Sequence, residues 1–127
     1  MRQYVDANIL IWHLRGEKKA GDLLRRLSRE EGHELWTGAP QRAEIVLYMK
    51  PEEETATLAA LANLKTQPLT QVLVDRAGVL FRRWHPTHGM DANDAFLAAM
   101  ALEAGGRIVT LNVKHFPDPG LNVLKGW

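Results

Sequence analysis

The chain has 127 residues, of which 46% are hydrophobic and 24% are charged, and its net charge at pH 7 is +1. This length and balance predict one globular domain over residues 1–127 and exclude a disordered tail. The absence of cysteine excludes a disulfide scaffold, a thiol nucleophile and a cysteine-based zinc site. No apolar run approaches the roughly 20 residues of a membrane span and no signal peptide is predicted, so we expect a cytoplasmic protein without membrane contact.

The first part of the chain alternates short β-prone runs with helix-prone segments. Leucines and alanine at helical spacing, with arginines on the opposite side, predict a helix over 18–29. Gly16 and Gly32 bound that helix, and Pro40 suits the first turn of another. The predicted elements are a strand at 3–5, a helix at 7–14, the helix at 18–29, a strand at 34–37 and a helix at 41–49.

The second part of the chain adds three helices and two strands. Three glutamates that follow Pro51 predict a helix start, because acidic side chains suit the positive end of the helix dipole. This helix is expected to run to Pro68. The predicted elements after it are a helix at 70–84, a turn at 86–89, a helix at 94–104 that Gly105 caps, a buried strand at 107–110 and a last short strand at 121–124.

The order of these elements predicts the fold class. Short strands that alternate with longer helices are typical of a parallel sheet covered on both faces. We therefore expect an α/β protein, a three-layer α/β/α sandwich with a mostly parallel central sheet. No linker and no internal repeat interrupts the pattern. In such a sheet, the loops at the carboxyl ends of the strands share one edge, and ligands bind there.

Four polar residues fall at that edge in the predicted order. Asp6 ends the first strand, and Glu44 lies in the first turns of the helix after the second strand. Asp94 opens the helix before the strand at 107–110, and Asn112 follows that strand. Clustered carboxylates repel one another and require a cation to remain ionised. Oxygen ligands without cysteine or paired histidine favour Mg²⁺, with Mn²⁺ as a possible substitute, over Zn²⁺.

A site of this kind suits phosphodiester hydrolysis, because a bound divalent ion lowers the pKa of water and neutralises charge on phosphate oxygens. Protein nucleophiles are scarce by comparison. The only serine, Ser28, is placed on a polar helix next to arginine. A metal-activated water is therefore the better candidate nucleophile.

Four motifs in this order resemble the PIN-domain family and, within it, the VapC-type toxins of bacterial toxin–antitoxin pairs. Each motif is weak alone, but their order and spacing over essentially the whole chain are specific. The motifs are YVDANIL at 4–10, AEI at 43–45, DAFLAAMA at 94–101 and VTLNVKHF at 109–116.

The resemblance implies a PIN-like fold and a Mg²⁺-dependent endoribonuclease. Asp6, Glu44 and Asp94 would match the three acidic metal ligands of the family, and Asn112 would lie where many members have a fourth acid. Together these four would be the catalytic residues, and Thr110 would position the loop or a water. The resemblance also implies an RNA substrate, a homodimer and a small antitoxin whose C-terminal segment covers the active-site groove.

The chain differs from the family pattern in the segment before Glu44. Many relatives carry serine or threonine there, whereas this chain has GAPQ at 38–41. The fourth position is an amide, which would hold a second metal only weakly. Asp91 lies three residues before Asp94 and is either an extra ligand or the helix cap.

Simpler interpretations stand beside each site assignment. Asp6 is also a suitable helix cap, Glu44 a surface residue and Asn112 a turn residue. His115 is interpreted as a packing residue of its loop, since no pair of histidines has zinc-ligand spacing.

Two other functions remain open at this stage. A PIN-like domain of weak or absent activity would only bind RNA or a protein partner, as the amide at Asn112 suggests. A metal-dependent phosphatase of the haloacid-dehalogenase type would need a second acid two residues after Asp6, where Asn8 stands.

Overall fold

A computed structural model describes all residues, 1–127, and contains one five-stranded sheet of order β3-β2-β1-β4-β5. Every neighbouring pair of strands is parallel, so the α/β prediction is confirmed and the sheet is parallel throughout. The strands are β1 (Arg2–Val5), β2 (Glu34–Gly38), β3 (Lys65–Gln67), β4 (Arg107–Thr110) and β5 (Asn122–Lys125).

Six α-helices and two 3₁₀ turns connect the strands. The helices are α1 (Ala7–Leu14), α2 (Lys18–Ser28), α3 (Ala39–Val46), α4 (Glu54–Leu61), α5 (Gln71–His88) and α6 (Ala92–Ala104). The 3₁₀ turns lie at Pro51–Glu53 and Val113–His115. None of these helices combines the length and the apolar character that a membrane crossing requires.

Two separate hydrophobic cores show that the sheet is covered on both faces. Tyr4 of β1 belongs to a core built with α5 and α6, which includes Leu97 and Met100. The next residue, Val5, belongs to a second core with Ile9 of α1 and Leu27 of α2. Because successive side chains of a strand point to opposite faces, this switch within β1 produces the three layers.

The strands β1 and β4 are neighbours in the sheet, and the predicted site lies at their carboxyl ends. Val5 pairs with Val109 in the parallel register, and the backbone N–H of Asp6 donates to the carbonyl of Val109 at 2.9 Å. Thr110, the last residue of β4, therefore lies next to Asp6 at the carboxyl edge of the sheet.

The prediction of a helix running to Pro68 is wrong. The helix α4 ends at Leu61, and Lys65–Gln67 forms the edge strand β3, where Trp36 of β2 pairs with Lys65. This segment has three polar residues and no alternation of buried and exposed side chains. Its strand conformation depends on pairing with β2, which no local pattern in the sequence expresses.

The predicted turn at 86–89 is also wrong, because α5 continues through Pro86 to His88. Proline removes one backbone donor from the last turn of the helix, yet the helix continues for two more residues, to His88. Gly89 then ends α5 in the left-handed conformation, with φ of 68°, which glycine adopts without steric cost.

Candidate active site

Asp6 is fixed at the junction of β1, α1 and β4. Its Oδ1 accepts the backbone N–H of Ala7 at 2.8 Å, so Asp6 is indeed the N-cap of α1. Its Oδ2 accepts the hydroxyl of Thr110 at 2.8 Å. Burial raises the pKa of Asp6, the two hydrogen bonds oppose that rise, and the charges of Glu44 and Asp91 add to it. A helix cap alone does not require this buried, acid-rich environment.

Asp91 and Asp94 form a capping box at the start of α6. The helix begins at Ala92, so the expectation that Asp94 opens it is wrong by two residues, and Asp91 is the N-cap. Asp91 Oδ1 accepts the N–H of Asp94 at 2.8 Å, and Asp94 Oδ2 accepts the N–H of Asp91 at 3.0 Å. The cap interpretation of Asp91 is thus confirmed.

Asp94 is buried together with other acids. Burial raises the pKa of its carboxyl group from 3.8 to about 7, and the charges of Asp91 and Asp6 act in the same direction, although the hydrogen bond from the Asp91 backbone opposes them. The charge of Asp6 contributes to the raised pKa of Asp94, and the charge of Asp91 contributes to the raised pKa of both, so the structure brings the two carboxylates into one electrostatic environment. Strongly perturbed acids in such a group are typical of functional sites.

His115 joins this group, contrary to its interpretation as a simple packing residue. Its Nδ1 lies 3.1 Å from Oδ2 of Asp94. The 3₁₀ turn at Val113–His115 brings the imidazole back toward the start of α6. The sequence contained no spacing that linked residues 94 and 115; only the last motif, which ends in KHF, pointed to this turn at all.

Glu44 is held by a residue of α6. It lies half-buried on α3, and its Oε1 accepts the side-chain amide of Asn93 from α6. The carbonyl of Asn93 in turn accepts the side-chain amide of Gln41 at 2.8 Å. The segment that departs from the family pattern thus supplies Gln41 to the surroundings of Glu44. Neither Asn93 nor Gln41 was among the residues predicted for the site.

Asn112 is linked to the site through its backbone. Its N–H donates to the hydroxyl of Thr110 at 3.1 Å, so Thr110 connects Asp6 to the loop after β4, as expected. The side chain of Asn112 is exposed and forms no hydrogen bond with the carboxylates. A direct role of this amide therefore stays a prediction.

The side chains present have the chemistry of a hard-cation site. As they stand, no three or more His, Cys, Asp or Glu side chains form a group that could hold a metal ion. The acids at this edge nevertheless offer only oxygen ligands, and Oδ1 of Asn8, two residues after Asp6, is buried without a hydrogen-bond partner. Carboxylate and amide oxygens are the ligands that Mg²⁺ and Mn²⁺ prefer, so the residues fit such an ion.

Comparison with known proteins identifies the family. The model of the PIN domain matches residues 3–118. The chain belongs to the PIN-domain family. Among its curated relatives, Ribonuclease VapC10 of Mycobacterium tuberculosis is 35% identical over 114 residues, which cover 89% of this chain and 84% of the relative. This PIN-domain chain is therefore of the VapC type.

Solved structures support the same fold. The crystal structure of VapBC2 from Rickettsia felis bound to a promoter DNA fragment matches with a TM-score of 0.79 and 20% identity, over 100% of this chain and 99% of that chain. A toxin–antitoxin complex from Klebsiella pneumoniae matches with a TM-score of 0.78 and 22% identity, over 100% and 98%. These similarities concern the architecture of the PIN-domain chain.

Proposed function

We propose that this PIN-domain chain is a Mg²⁺-dependent endoribonuclease, with Mn²⁺ as a substitute, that acts in the cytoplasm as the toxin of a toxin–antitoxin pair. The observation that carries the proposal is the group of buried acids at the carboxyl edge of the sheet, in which Asp6 and Asp94 face other carboxylates. The relative named as a ribonuclease supports RNA as the substrate. Single-stranded RNA is the form that proteins read most readily.

Asp6 and Asp94 would hold the ion, and Glu44 would either complete its ligands or accept a proton from the attacking water. When bound, Mg²⁺ supplies a water of lowered pKa and neutralises charge on the phosphate oxygens. Thr110 fixes the orientation of the Asp6 carboxylate through its 2.8 Å hydrogen bond. Oε2 of Glu44 has no hydrogen-bond partner in the protein and is free for either role. The amide of Asn112 would orient a water or a phosphate oxygen.

The proposed reaction is hydrolysis with water as the nucleophile. The oxygen of water forms a bond to phosphorus as the bond from phosphorus to the 3′ oxygen breaks. The 3′ oxygen takes up a proton, which leaves a 3′-hydroxyl and a 5′-phosphate.

The test is cleavage of a mixed RNA pool by the wild type and by Asp6→Asn, with Mg²⁺, with Mn²⁺ and with EDTA. Asp6→Asn removes the charge but keeps an oxygen that can cap α1. Asp22→Asn is the matched control, because Asp22 pairs with Arg25 on an exposed face of α2. We expect metal-dependent cleavage that Asp6→Asn abolishes and Asp22→Asn preserves. RNA binding without cleavage in Mn²⁺ would instead favour the alternative, a PIN domain that only binds.

This chain has an apolar groove that suits the proposed antitoxin. A cavity of about 290 Å³ opens between α1, α2 and α4, and most of its lining is aliphatic, including Leu10, Leu14, Leu24 and Leu64. An aliphatic lining of this kind suits an apolar segment of the antitoxin. A Leu24→Glu variant that still cleaves RNA but escapes inhibition by the protein encoded beside it would support this surface.

A homodimer is also part of the proposal. Val72 and Val79 lie seven residues apart on one face of α5 and are more than half exposed. Sedimentation of the wild type and of Val79→Glu tests whether this face joins two copies. A monomeric wild type at all concentrations would contradict it.

A further inference from the structure

Two hydrogen bonds connect α3 to the first turn of α6 beside the acids. The side-chain amide of Gln41 donates to the carbonyl of Asn93 at 2.8 Å. The side-chain amide of Asn93 donates to Oε1 of Glu44. Asn93 is thus attached to two residues of α3, once through its backbone and once through its side chain.

The Asn93 side chain is not needed for the helix start. Asp91 is the N-cap of α6, and Asp94 completes the capping box. Asn93 stands between these two acids and directs its amide away from the cap and across to α3. Its hydrogen bond therefore connects an acid of one helix to the helix that carries another acid.

The α3 side of this connection is tightly packed. Gln41 is only 1% exposed. At Gly38, the N-cap of α3, a Cβ would lie 2.9 Å from Sδ of Met100 and would also collide with Oε1 of Gln41. The missing side chain of Gly38 leaves the space that Gln41 occupies, and this keeps Gln41 against the carbonyl of Asn93.

The hydrogen bond constrains Glu44 without using up its carboxylate. A glutamate side chain loses several rotamers when it is fixed, and this entropy opposes ligand binding if the fixing occurs only then. Asn93 occupies Oε1, whereas Oε2 has no partner. The neutral amide fixes the orientation and leaves the negative charge in place.

We propose that Asn93 is a positioning residue: its amide orients Glu44 in advance, so that the free carboxylate oxygen is directed to the divalent ion and the attacking water. This inference rests on the proposed function. It assigns to the segment 38–41 and to Asn93 together the support that Glu44 needs.

The first measurement is Mn²⁺ binding by calorimetry to the wild type, Asn93→Ala and a matched control. Asn93→Ala keeps the backbone carbonyl for Gln41 and introduces a good helix former. The control is Asn63→Ala, which removes an exposed asparagine whose amide donates only to Ala59 and Ala60 carbonyls at 3.4 Å. We expect about tenfold weaker Mn²⁺ binding for Asn93→Ala, the range typical of residues that orient metal ligands, and no change for Asn63→Ala.

The second measurement separates positioning from general destabilisation. In a Glu44→Ala background, Asn93→Ala should cause no further loss of Mn²⁺ affinity, because there is no carboxylate left to orient. In RNA cleavage, Asn93→Ala should lower kcat about tenfold with little change in KM. Losses that simply add in the double variant would overturn the proposal.

A third measurement uses the metal-free protein and requires no variant of Asn93. It therefore tests the proposal even if Asn93→Ala fails to fold. The side-chain amide resonances of Asn93 in an NMR spectrum should move in Glu44→Ala and stay in Asp22→Asn. Unmoved resonances would overturn the proposal. Equal Mn²⁺ affinity and equal RNA cleavage in the wild type and in Asn93→Ala would also overturn it. A wild type that neither binds Mn²⁺ nor cleaves RNA would overturn the proposed function as well.

Discussion

The two edges of the sheet differ in how their charged side chains are paired. At the edge where the strands begin, acids are paired with bases: Glu34 with Lys65, and Glu30 with Arg107 at 3.1 Å. The guanidinium of Arg2 also lies 3.8 Å from the centre of the Trp36 ring. The hydrogen bond and the charge of Lys65 lower the pKa of Glu34, so ionised groups are favoured at this edge.

At the edge where the strands end, acids face acids. Asp6 and Asp94 are each 7% exposed, and the neighbouring charges that perturb them are carboxylates. Apart from the imidazole of His115 at 3.1 Å, no basic group contacts either of them. The first edge gains stability from its charges, whereas the second holds unfavourable charge that a divalent ion would relieve. This contrast supports the proposed functional site.

The largest expected effect follows removal of one acid from the second edge. Asp94→Asn keeps the shape of the side chain and removes its charge, so we expect cleavage of RNA in Mg²⁺ to fall at least about a hundredfold, as for other electrostatic groups at a reacting centre. Glu34→Gln removes an acid from the opposite edge and should leave the rate within about twofold. A normal rate of RNA cleavage for Asp94→Asn would show that the acids at the second edge have no catalytic role.

The pH dependence of stability should differ in sign between the edges. In the folded, metal-free chain the pKa of Asp94 is raised to about 7 from 3.8. Between these pH values the folded state keeps a proton that the unfolded state has lost. The free energy of unfolding should therefore fall as the pH rises from 4 to 7. Glu34 acts oppositely: its lowered pKa contributes stability that is present above the unfolded value and is lost as the pH falls through the folded value.

Urea unfolding in EDTA from below pH 4 up to pH 7 measures both contributions, because that of Glu34 is lost below its ordinary pKa of 4.5. Asp94→Asn should flatten the fall between pH 4 and 7, and so should saturating Mn²⁺ in place of EDTA, because both relieve the buried charge. Glu34→Gln should leave that part of the profile unchanged. A fall that persists undiminished in Asp94→Asn would show that another group causes it.

A smaller effect is expected for Thr110→Val. The variant keeps the shape of the side chain but removes the hydroxyl that donates to Asp6 and accepts from the Asn112 backbone. We expect the free energy of unfolding to fall by about 1 kcal/mol and cleavage to fall about tenfold. Thr57→Val is the control, because Thr57 is buried on α4; cleavage reduced equally in both variants would refute a specific role of Thr110.

The smallest effect on cleavage is expected for Arg107→Met. It removes the hydrogen bonds to Gln3 and Glu30 at the first edge. The ion pair of Arg107 with Glu30 is partly exposed to water, which weakens it. The free energy of unfolding should fall by about 1 kcal/mol, as chemical denaturation can show, while RNA cleavage stays at the wild-type rate. Lost cleavage in a folded Arg107→Met would mean that the two edges are coupled.

The sequence by itself determined the elements whose information is local. The β-prone runs at 3–5 and 107–110 are strands whose apolar pairs, Tyr4-Val5 and Ile108-Val109, are fully buried, as is typical of a parallel sheet covered on both faces. The helix α2 follows from its helical spacing of leucines. The positions of Asp6, Glu44 and Asp94 at one edge also followed from the sequence. In a parallel sheet all strands end on the same side, so the order of the elements was sufficient.

Only the tertiary structure decided the contacts that join distant segments. The strand β3 exists because Lys65–Gln67 pairs with β2, and α5 continues through Pro86 until Gly89 ends it in the left-handed conformation. The links from Asn93 to Glu44 and from His115 to Asp94 span 49 and 21 residues. Hydrogen bonds of this kind depend on how helices pack on the sheet, and no periodicity or cap within one segment encodes them.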